Sequence, residues 1–320
     1  MENKSVAILL AIYNPREDWL IELLDSLNQQ TYPSLCLYVR DDASPSYSLD
    51  RLRMLLDEHI TAFPYRLTQN EKNVGSNETF SELICDAVDE HYIAFCDQDD
   101  VWLPNKIENT VRLYEESPLR PTMVCANVSI IDGDGSDVAP TIDSFRRRHV
   151  FLRGNGIASE LIYRNFAMGC TIVMERERAL SYRPFPASIV HDHYLAFRAA
   201  ADGAIDYLPE AQMRYRVYGG NQTGVMSGVE TKADYYEKRI LVFEERINAF
   251  AKAVSLPELE LAARWCEARK RNFKREKGGF RALWKLKHVN KSTSIFELFA
   301  LRFPRFLFRF VIQQNRKGRL

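Results

Sequence analysis

The sequence predicts an α/β fold with a mixed, mainly parallel sheet that is flanked by helices. Two observations support this fold class. Short apolar runs, which are typical of strands covered on both faces, alternate along the first hundred residues with segments that are apolar at every third or fourth position. Polar residues also follow the ends of three of these strands, where open α/β sheets bind their ligands.

The first elements follow from their local patterns. Residues 6–13 form an apolar strand, and Asn14 with Pro15 begins a helix that carries an apolar stripe. "LCLYVRDD", "YRLTQN" and "YIAFC" are the next strands, with helices around residues 52–59 and 78–90 between them. This alternation predicts a doubly wound parallel sheet.

The stretch "YIAFCDQDDVWLPNKI" places three carboxylates within four positions, at Asp97, Asp99 and Asp100. Like charges so close together raise one another's pKa, so a cation or several donors are expected beside them. If the extended chain of the strand continues, Asp97 and Asp99 point to the same side and can share a divalent ion. The alternative is that one aspartate caps the following helix while the others are solvated.

Three strand ends bring polar side chains to one edge of the predicted sheet. They are Tyr13 with Asn14, Asp41 with Asp42, and Asp97 with Asp99. The carboxyl ends of parallel strands lie at the same edge, so this convergence favours a binding site over solvated charges.

The second half has weaker patterns. "TMVCANVSI" and "GCTIVM" predict strands, "DGDGSD" predicts a turn and "HDHYLAFRAA" predicts the start of a helix. Residues 139–165 are basic and irregular, which predicts a loop region. "RYRVYGGNQTG" is a strand that runs into a glycine-rich loop, and the pattern is helical and charged from Ala233 onward.

Composition limits the class of protein. The hydrophobic content of 46% is ample for a packed core, and no apolar run approaches the roughly 20 residues that span a bilayer. "VAILLAIY" lacks a cleavage site and is expected to be a strand rather than a leader. The six scattered cysteines have no metal-ligand spacing, which predicts buried thiols in a reducing, cytoplasmic setting.

Charge is unevenly distributed, because residues 269–320 carry 16 lysines and arginines against 2 glutamates, although the whole chain has 43 of each sign. At helical spacing five phenylalanines of this tail share one face: Phe296, Phe299, Phe303, Phe306 and Phe310. Pro304 must start or kink a helix among them. The pattern suits either peripheral contact of residues 296–319 with an anionic membrane or packing against protein.

The motifs, taken in order, resemble those of the family 2 glycosyltransferases. They are "AIYNPREDWLIELLDSLNQQTYP", "RDDASP", "NVGSN" and "CDQDDVWLPNKI". Within that family, "CDQDDVW", "GCTIVM" and "YRVYGGNQTG" look most like bacterial rhamnosyltransferases that build surface polysaccharides. The resemblance implies a GT-A fold in residues 1–225, with a nucleotide-sugar half (1–110) and an acceptor half (111–225). A helical, basic region would follow in residues 226–320.

The resemblance also implies roles for single residues. Five positions match the residues that hold the donor nucleotide in that family: Ala11, Tyr13, Asp41, Asp42 and Asp97. Asp99 matches the second carboxylate of the family's Asp-x-Asp motif, which binds the Mg²⁺ or Mn²⁺ that bridges the donor diphosphate.

Asp192, in "VHDHY", matches the family's catalytic aspartate, the base that takes the proton from the acceptor hydroxyl in an inverting transfer. Considered alone, Asp192 is better explained as an ordinary helix N-cap. Relatives often carry a histidine where this chain has Tyr218, which predicts weaker or differently arranged metal binding. Arg214 and Arg216 are either phosphate partners or strand-edge charges.

These features predict an inverting, metal-dependent glycosyltransferase at the inner face of the cell membrane. The donor would be dTDP-rhamnose or a UDP-sugar, and the acceptor a glycan or lipid-linked glycan of surface polysaccharide assembly. The alternatives are a UDP-hexose or UDP-N-acetylhexosamine transferase of the same family, and a non-catalytic nucleotide-sugar-binding protein. Nucleic-acid binding is disfavoured because the chain before the tail is acidic and has no recognised binding module. A nucleotidyltransferase is disfavoured because no glycine-rich basic signature lies near the N-terminus.

Overall fold

The computed structural model describes residues 4–146, 149–218 and 228–316. The chain forms two compact units, Met1–Tyr218 and Gly219–Leu320. The first unit contains the sheet, and the described part of the second is helical. The predicted domain boundary at residue 225 lies outside the described residues, and the division of the first unit at residue 110 stays a prediction.

The first hundred residues fold as the predicted alternation of strands and helices. The elements are β1 Val6–Ile12, α1 Glu17–Asn28, β2 Leu35–Asp41, α2 Leu49–His59, β3 Tyr65–Gln69, α3 Ser76–Asp86 and β4 Tyr92–Cys96. β1 pairs in parallel with β2 on one side and with β4 on the other, and β3 extends the parallel order beyond β2. The carboxyl ends of these four strands therefore share one edge of the sheet.

The core of the first unit is built from the apolar run of β1 and the apolar stripe of α1, which are the two clearest patterns in the sequence. Apart from Ala11, every residue of β1 is buried. Four leucines of α1 are fully buried in the same cluster as the strands: Leu20, Leu23, Leu24 and Leu27. Burying a leucine side chain contributes about 1.5–3 kcal/mol relative to leaving it exposed. The apolar strand and the helical stripe thus fix α1 against the sheet.

From Val101 onward the chain adds strands that make the sheet mixed. These elements are β5 Val101–Trp102, α4 Lys106–Glu116, β6 Met123–Ile131, β7 Asp137–Ala139, α5 Ile142–Phe145, α6 Ala158–Leu161, β8 Val173–Glu175, α7 Arg176–Ser181, α8 His191–Asp202 and β9 Ile205–Arg216. In the described part of the chain the strand order is β3-β2-β1-β4-β8-β6-β9-β5, with β7 paired to β6. β8 is antiparallel to β4 and β6, and β5 is antiparallel to β9, whereas β6 and β9 are parallel.

Two local predictions were wrong. Residues 139–165 contain the short helices α5 and α6 as well as loop. The extended chain also ends at Cys96, and residues 97–100 include a turn. The chain must turn there because β5 pairs with β9, far from β4 in the strand order. Strand alternation therefore does not apply to Asp97 and Asp99.

The described part of the second unit, residues 228–316, consists of helices around a buried ion pair. Its elements are α9 Lys232–Tyr235, a π-helical segment Tyr236–Leu241, α10 Val242–Ala253, α11 Pro257–Phe273, α12 Gly279–Lys285, α13 Lys291–Phe299 and α14 Arg305–Arg316. Arg269 of α11 donates to Glu297 of α13 at 2.7 Å, and both side chains are buried. The hydroxyl of Tyr235 donates to the same carboxylate. The three side chains thus connect α9, α11 and α13.

The aromatic tail is interrupted, as Pro304 required. Pro304 lies between α13 and α14, so the predicted single face of phenylalanines is broken there. Phe299, Phe306 and Phe310 are exposed, whereas Phe308 is buried. Among the helices of the described ranges, none has the length and apolar character needed to cross a membrane.

Candidate active site

The turn at residues 97–100 is attached to the end of β1. The side-chain amide of Gln98 donates to the backbone oxygen of Tyr13 at 3.1 Å, and its oxygen accepts from the backbone N–H of Tyr13 at 2.8 Å. Tyr13 and the aspartates therefore lie at the same edge of the sheet, as predicted. The ring of Tyr13 is exposed there. Sequence reasoning missed Gln98, because nothing local indicates a partner so distant in the chain.

Asp97 and Asp100 lie close together. Ligand atoms of Asp97, Asp100 and Cys170 are all within 4.8 Å of one another. Burial, with the negative charges of Asp99 and Asp192, raises the pKa of Asp97 to about 7. Burial and the neighbouring aspartates also raise the pKa of Asp100 well above its usual range. Asp192 thus lies near enough to act electrostatically on Asp97, although the two are far apart in sequence.

Asp99 lies outside that group of three and has a different partner. The hydroxyl of Tyr218 donates to Oδ2 of Asp99 at 2.7 Å. The ring of Tyr218 packs against Trp19, with 4.7 Å between ring centroids. Burial raises the pKa of Asp99, and the hydrogen bond from Tyr218 opposes that rise. Tyr218 is thus a donor to the predicted metal ligand.

Lys106 supplies the positive charge that the acidic stretch requires. It is 1% exposed in the first turn of α4, and its Nζ donates to the backbone oxygen of Cys170 at 2.6 Å. The same Nζ lies 3.0 Å from the centroid of the Trp102 ring. Burial lowers the pKa of Lys106 to about 8, while nearby acidic groups oppose that change. The sequence predicted a cation beside the cluster but did not identify Lys106.

Arg216 holds the turn in place from β9. Its backbone N–H donates to Oδ1 of Asp100 at 3.0 Å, and its Nε donates to the backbone oxygen of Asp99 at 2.9 Å. Its guanidinium also donates to Glu22. Arg214 donates to the backbone oxygen of Gly135 and to Asp137. Arg216 is 1% exposed and its guanidinium donates to protein oxygens, so it positions the turn. Contact of Arg214 with a phosphate stays a prediction.

Asp41 and Asp42 organise the loops beside the site. Asp42 accepts from the side chain of Asn70 and from the backbone N–H groups of Val74 and Gly75, each at 2.8 Å. Asp41 accepts from Ser44 and Gln69. The fifth predicted donor-side residue, Ala11, is half-buried near the end of β1. Contact of Ala11, Asp41 and Asp42 with a nucleotide base stays a prediction.

Asp192 lies in the first turn of α8 but is not its N-cap, which is Val190. The backbone N–H of Gly169 donates to Oδ2 of Asp192 at 3.2 Å. Burial raises the pKa of Asp192 to about 6, and hydrogen bonds from His193 and Gly169 limit the rise. A methyl group on Gly169 would lie 3.0 Å from Nε2 of His191 and 3.5 Å from Cβ of Asp192. A side chain at this position would therefore require the His191 ring to move by a few tenths of an ångström.

Asn77 joins the donor-side helix to the helix of Asp192, and sequence reasoning missed this role. Its side chain donates to the backbone oxygens of Pro186 and Ile189, and it accepts from the backbone N–H of His191 at 2.8 Å. These three bonds set the position at which α8 begins. The "NVGSN" motif was the available signal, but it does not reveal partners more than a hundred residues away.

The aspartates suit a hard divalent cation. Oδ2 of Asp100 is buried and has no nitrogen or oxygen donor within the described ranges. Burial raises the pKa of Asp97, Asp99 and Asp100 and so disfavours their charged forms, which a bound cation would stabilise. Carboxylate oxygens are the ligands that Mg²⁺ and Mn²⁺ prefer. Burial raises the pKa of the Cys170 thiol, which makes it a poor ligand for these ions.

A mixed sheet with carboxylates after β4 is the architecture of the GT-A glycosyltransferases. The fold matches the structure of the mannosyltransferase PcManGT from Pyrobaculum calidifontis, in complex with GDP-Man and Mn²⁺, with a TM-score of 0.58. The match covers 98% of this chain and 85% of that one at 16% identity. The sequence matches the family model "Glycosyl transferase family 2" over residues 7–179, more than half of the chain. The chain belongs to this family.

Two curated relatives are similar over most of their length. The dTDP-rhamnosyl transferase RfbG of Shigella flexneri is 25% identical over 240 residues, which is 71% of this chain and 76% of the relative. The second is the UDP-Glc:alpha-D-GlcNAc-diphosphoundecaprenol beta-1,3-glucosyltransferase WfgD of Escherichia coli. It is 26% identical over 211 residues, which is 64% of this chain and 73% of the relative.

Proposed function

We propose that this chain is an inverting, metal-dependent glycosyltransferase that transfers a sugar from a nucleoside diphosphate donor to a glycan or lipid-linked acceptor. The observation that carries the proposal is the proximity of Asp192 to the acidic turn. The backbone N–H of Gly169 donates to Asp192, and the thiol of the next residue, Cys170, lies within 4.8 Å of carboxylate oxygens of Asp97 and Asp100. A base on the acceptor side and carboxylates on the donor side thus belong to one site. A protein that only binds nucleotide-sugars has no need for such a base.

The proposed reaction uses Asp192 as general base. Asp192 accepts the proton of the acceptor hydroxyl as that oxygen bonds to the anomeric carbon of the donor sugar. The bond between this carbon and the diphosphate oxygen breaks, and the electron pair leaves with the nucleoside diphosphate. A single displacement of this kind inverts the anomeric configuration. A pKa of about 6 leaves Asp192 ionised at neutral pH and basic enough to help.

On the donor side, Asp99 would hold the cation, Asp97 would lie beside the ribose, and Ala11, Tyr13, Asp41 and Asp42 would border the base. Mg²⁺ or Mn²⁺ bound there would neutralise charge that develops on the leaving diphosphate. The Mn²⁺ that accompanies GDP-Man in PcManGT supports this assignment.

The donor and acceptor are proposed from the relatives. The dTDP-rhamnosyl relative supports dTDP-rhamnose as donor, and the UDP-Glc relative supports a UDP-hexose as the alternative. The diphosphoundecaprenol acceptor named for WfgD supports a lipid-linked acceptor. We place this transfer in surface polysaccharide assembly, at the cytoplasmic face of the membrane.

The test is release of nucleoside diphosphate from a panel of donors with Mn²⁺, Mg²⁺ or EDTA. The panel contains dTDP-rhamnose, UDP-glucose, UDP-galactose and UDP-N-acetylglucosamine. Release from one donor that requires metal and is lost in Asp99→Ala is the expected result. Asp192→Asn should retain binding of that donor in calorimetry while release falls, which separates the base from the donor site.

Two results would count against the proposal. Absence of calorimetric binding of both UDP and dTDP would contradict the donor site itself. Full release with EDTA would contradict metal dependence. Asp137→Ala, an exposed aspartate of β7, is the matched control and should behave as wild type.

A further inference from the structure

Two of the helices in the second unit carry exposed aromatic rings on neighbouring surfaces. Phe280 and Trp284 of α12 stack nearly parallel, with ring centroids 6.3 Å apart, and are 39% and 44% exposed. Phe299 of α13 is 50% exposed and lines the same shallow groove, together with Arg281 and Lys285. Large apolar side chains grouped in this way at a surface indicate an interaction site.

The last helix has two apolar sides. Phe308 and Ile312 of α14 are buried, each about 1% exposed. Phe306 and Phe310 are on the opposite side, 74% and 55% exposed, and lie one turn apart. Among the described residues, packing of α14 uses the first face and leaves Phe306 and Phe310 largely in solvent.

The charge around these rings is positive. Residues 277–316 contain nine lysines and arginines and a single acidic residue, Glu297. Glu297 is buried and paired with Arg269, so it does not offset the surface charge. The cations also contact the rings, since Nζ of Lys287 lies 3.4 Å from the centroid of Trp284 and the Arg302 guanidinium lies 4.8 Å from that of Phe280. The surface is therefore complementary to an anionic partner that also takes up apolar rings.

We propose that the aromatic side chains of α12, α13 and α14 insert into the headgroup region of an anionic phospholipid bilayer while the neighbouring cations contact the lipid phosphates. An amphipathic surface of phenylalanine and arginine has the chemistry of interfacial binding. Each cation near an anionic membrane strengthens binding roughly fivefold. The contact predicted for residues 296–319 thereby gains the Phe280 and Trp284 pair, which the sequence did not identify.

Nucleic acid is a weaker match for the same charge. It would be bound through the cations, whereas the most exposed rings, Phe306 and Phe310, would remain in water. The bilayer uses both features of the surface. The inference concerns binding only, so it does not depend on the proposed transfer reaction.

The test is co-sedimentation of the full chain with vesicles, without nucleotide or metal. One set of vesicles is phosphatidylcholine alone, and the other contains phosphatidylglycerol as well. Binding should require phosphatidylglycerol and weaken at high salt. Phe306→Ser with Phe310→Ser should weaken partitioning roughly tenfold or more. Met54→Ser with Val88→Ser is the matched control, because Met54 and Val88 are equally exposed apolar residues of the first unit.

Tryptophan fluorescence gives a second, independent readout. Trp19, Trp102 and Trp265 are buried, so a blue shift on adding anionic vesicles reports on Trp284. The shift should disappear in Trp284→Phe, whose sedimentation should remain close to wild type. The proposal is overturned if binding is equal with both vesicle sets, or if the phenylalanine variant binds as wild type. It is also overturned if wild type forms a dimer that this variant loses while neither binds vesicles, because the face would then join two copies.

Discussion

Asp97, Asp99 and Asp100 are neighbours in sequence but have three different surroundings. Asp100 accepts from the backbone of Arg216, Asp99 accepts from Tyr218, and Asp97 is affected by the charge of Asp192. Because their surroundings differ, Asp100 can fix the turn through Arg216 while Asp99 remains available to a ligand. The three side chains therefore should not be equivalent under mutation.

Replacement of Asp192 by asparagine should lower the rate constant for transfer by about 10²–10⁴-fold, because the base is lost while the fold is retained. In wild type the carboxylate accepts a proton only above its pKa of about 6, so the rate should rise with pH through that value and then level off. Transfer measured against pH checks this. Asp50→Asn, in the first turn of α2, is the control. If the rate of Asp192→Asn rose with pH in the same way as the wild-type rate, Asp192 would be ruled out as the base.

Replacement of Tyr218 by phenylalanine should make metal binding more sensitive to acid. The hydroxyl lowers the pKa of Asp99, so its removal raises that pKa, and the proton then competes with the cation at higher pH. Titration of Mn²⁺ binding at several pH values should show a midpoint shifted upward. Tyr47→Phe removes a similar bond to Glu17 away from the site and should leave the midpoint unchanged. An unmoved midpoint in Tyr218→Phe would mean that Asp99 is not the group that binds the cation.

At the scale of elements, the site depends on a few side chains that tie secondary structures together. Gln98 joins the turn to β1, Arg216 joins it to β9, and Lys106 reaches from α4 to Cys170. Each of these side chains bonds to a backbone group that lies outside the strands, namely that of Tyr13, Asp99 or Cys170. Hydrogen bonds thus set the position of the turn at residues 97–100, while the apolar core stabilises the fold of the first unit.

Replacement of Asn77 by alanine should destabilise the first unit by about 1–3 kcal/mol, because two backbone oxygens and one N–H lose their partner. Since α8 begins at that N–H, transfer should fall while donor binding changes little. Chemical denaturation and calorimetry measure the two effects. Asn28→Ala is the control for lost stability. Asn28 ends α1, and its side chain forms hydrogen bonds with Thr61 and Ala62 that the substitution removes. Equal loss of transfer in both variants would assign the effect to stability alone.

At the scale of the whole molecule, the two units are stabilised in different ways. The first has a continuous apolar cluster around β1, whereas the second places Arg269 and Glu297 at its centre. Removing one member of a buried ion pair leaves an uncompensated charge and typically costs about 3–5 kcal/mol.

Replacement of Glu297 by glutamine should therefore speed hydrogen exchange of amides in α11 and α13. Glu267→Gln is the matched control, because Glu267 is 59% exposed and its ion pair with Lys270 lies at the surface. The control should exchange within the error of wild type. Unchanged exchange in Glu297→Gln would show that the pair does not stabilise these helices.

The sequence by itself determined the alternation of strands and helices and the strand ends near Ile12, Asp41 and Cys96. It also predicted part of the candidate site, from motifs at those strand ends. These features are local, since they follow from apolar periodicity and from motifs of a few residues. The tertiary structure alone decided which groups compensate the aspartates, namely Lys106, Arg216 and Tyr218. It also decided that Asp192, through its hydrogen bond with Gly169, lies beside the group of Asp97, Asp100 and Cys170. The physical reason is that these contacts join residues far apart in the chain, and only the packing of the sheet brings them within hydrogen-bonding and electrostatic range.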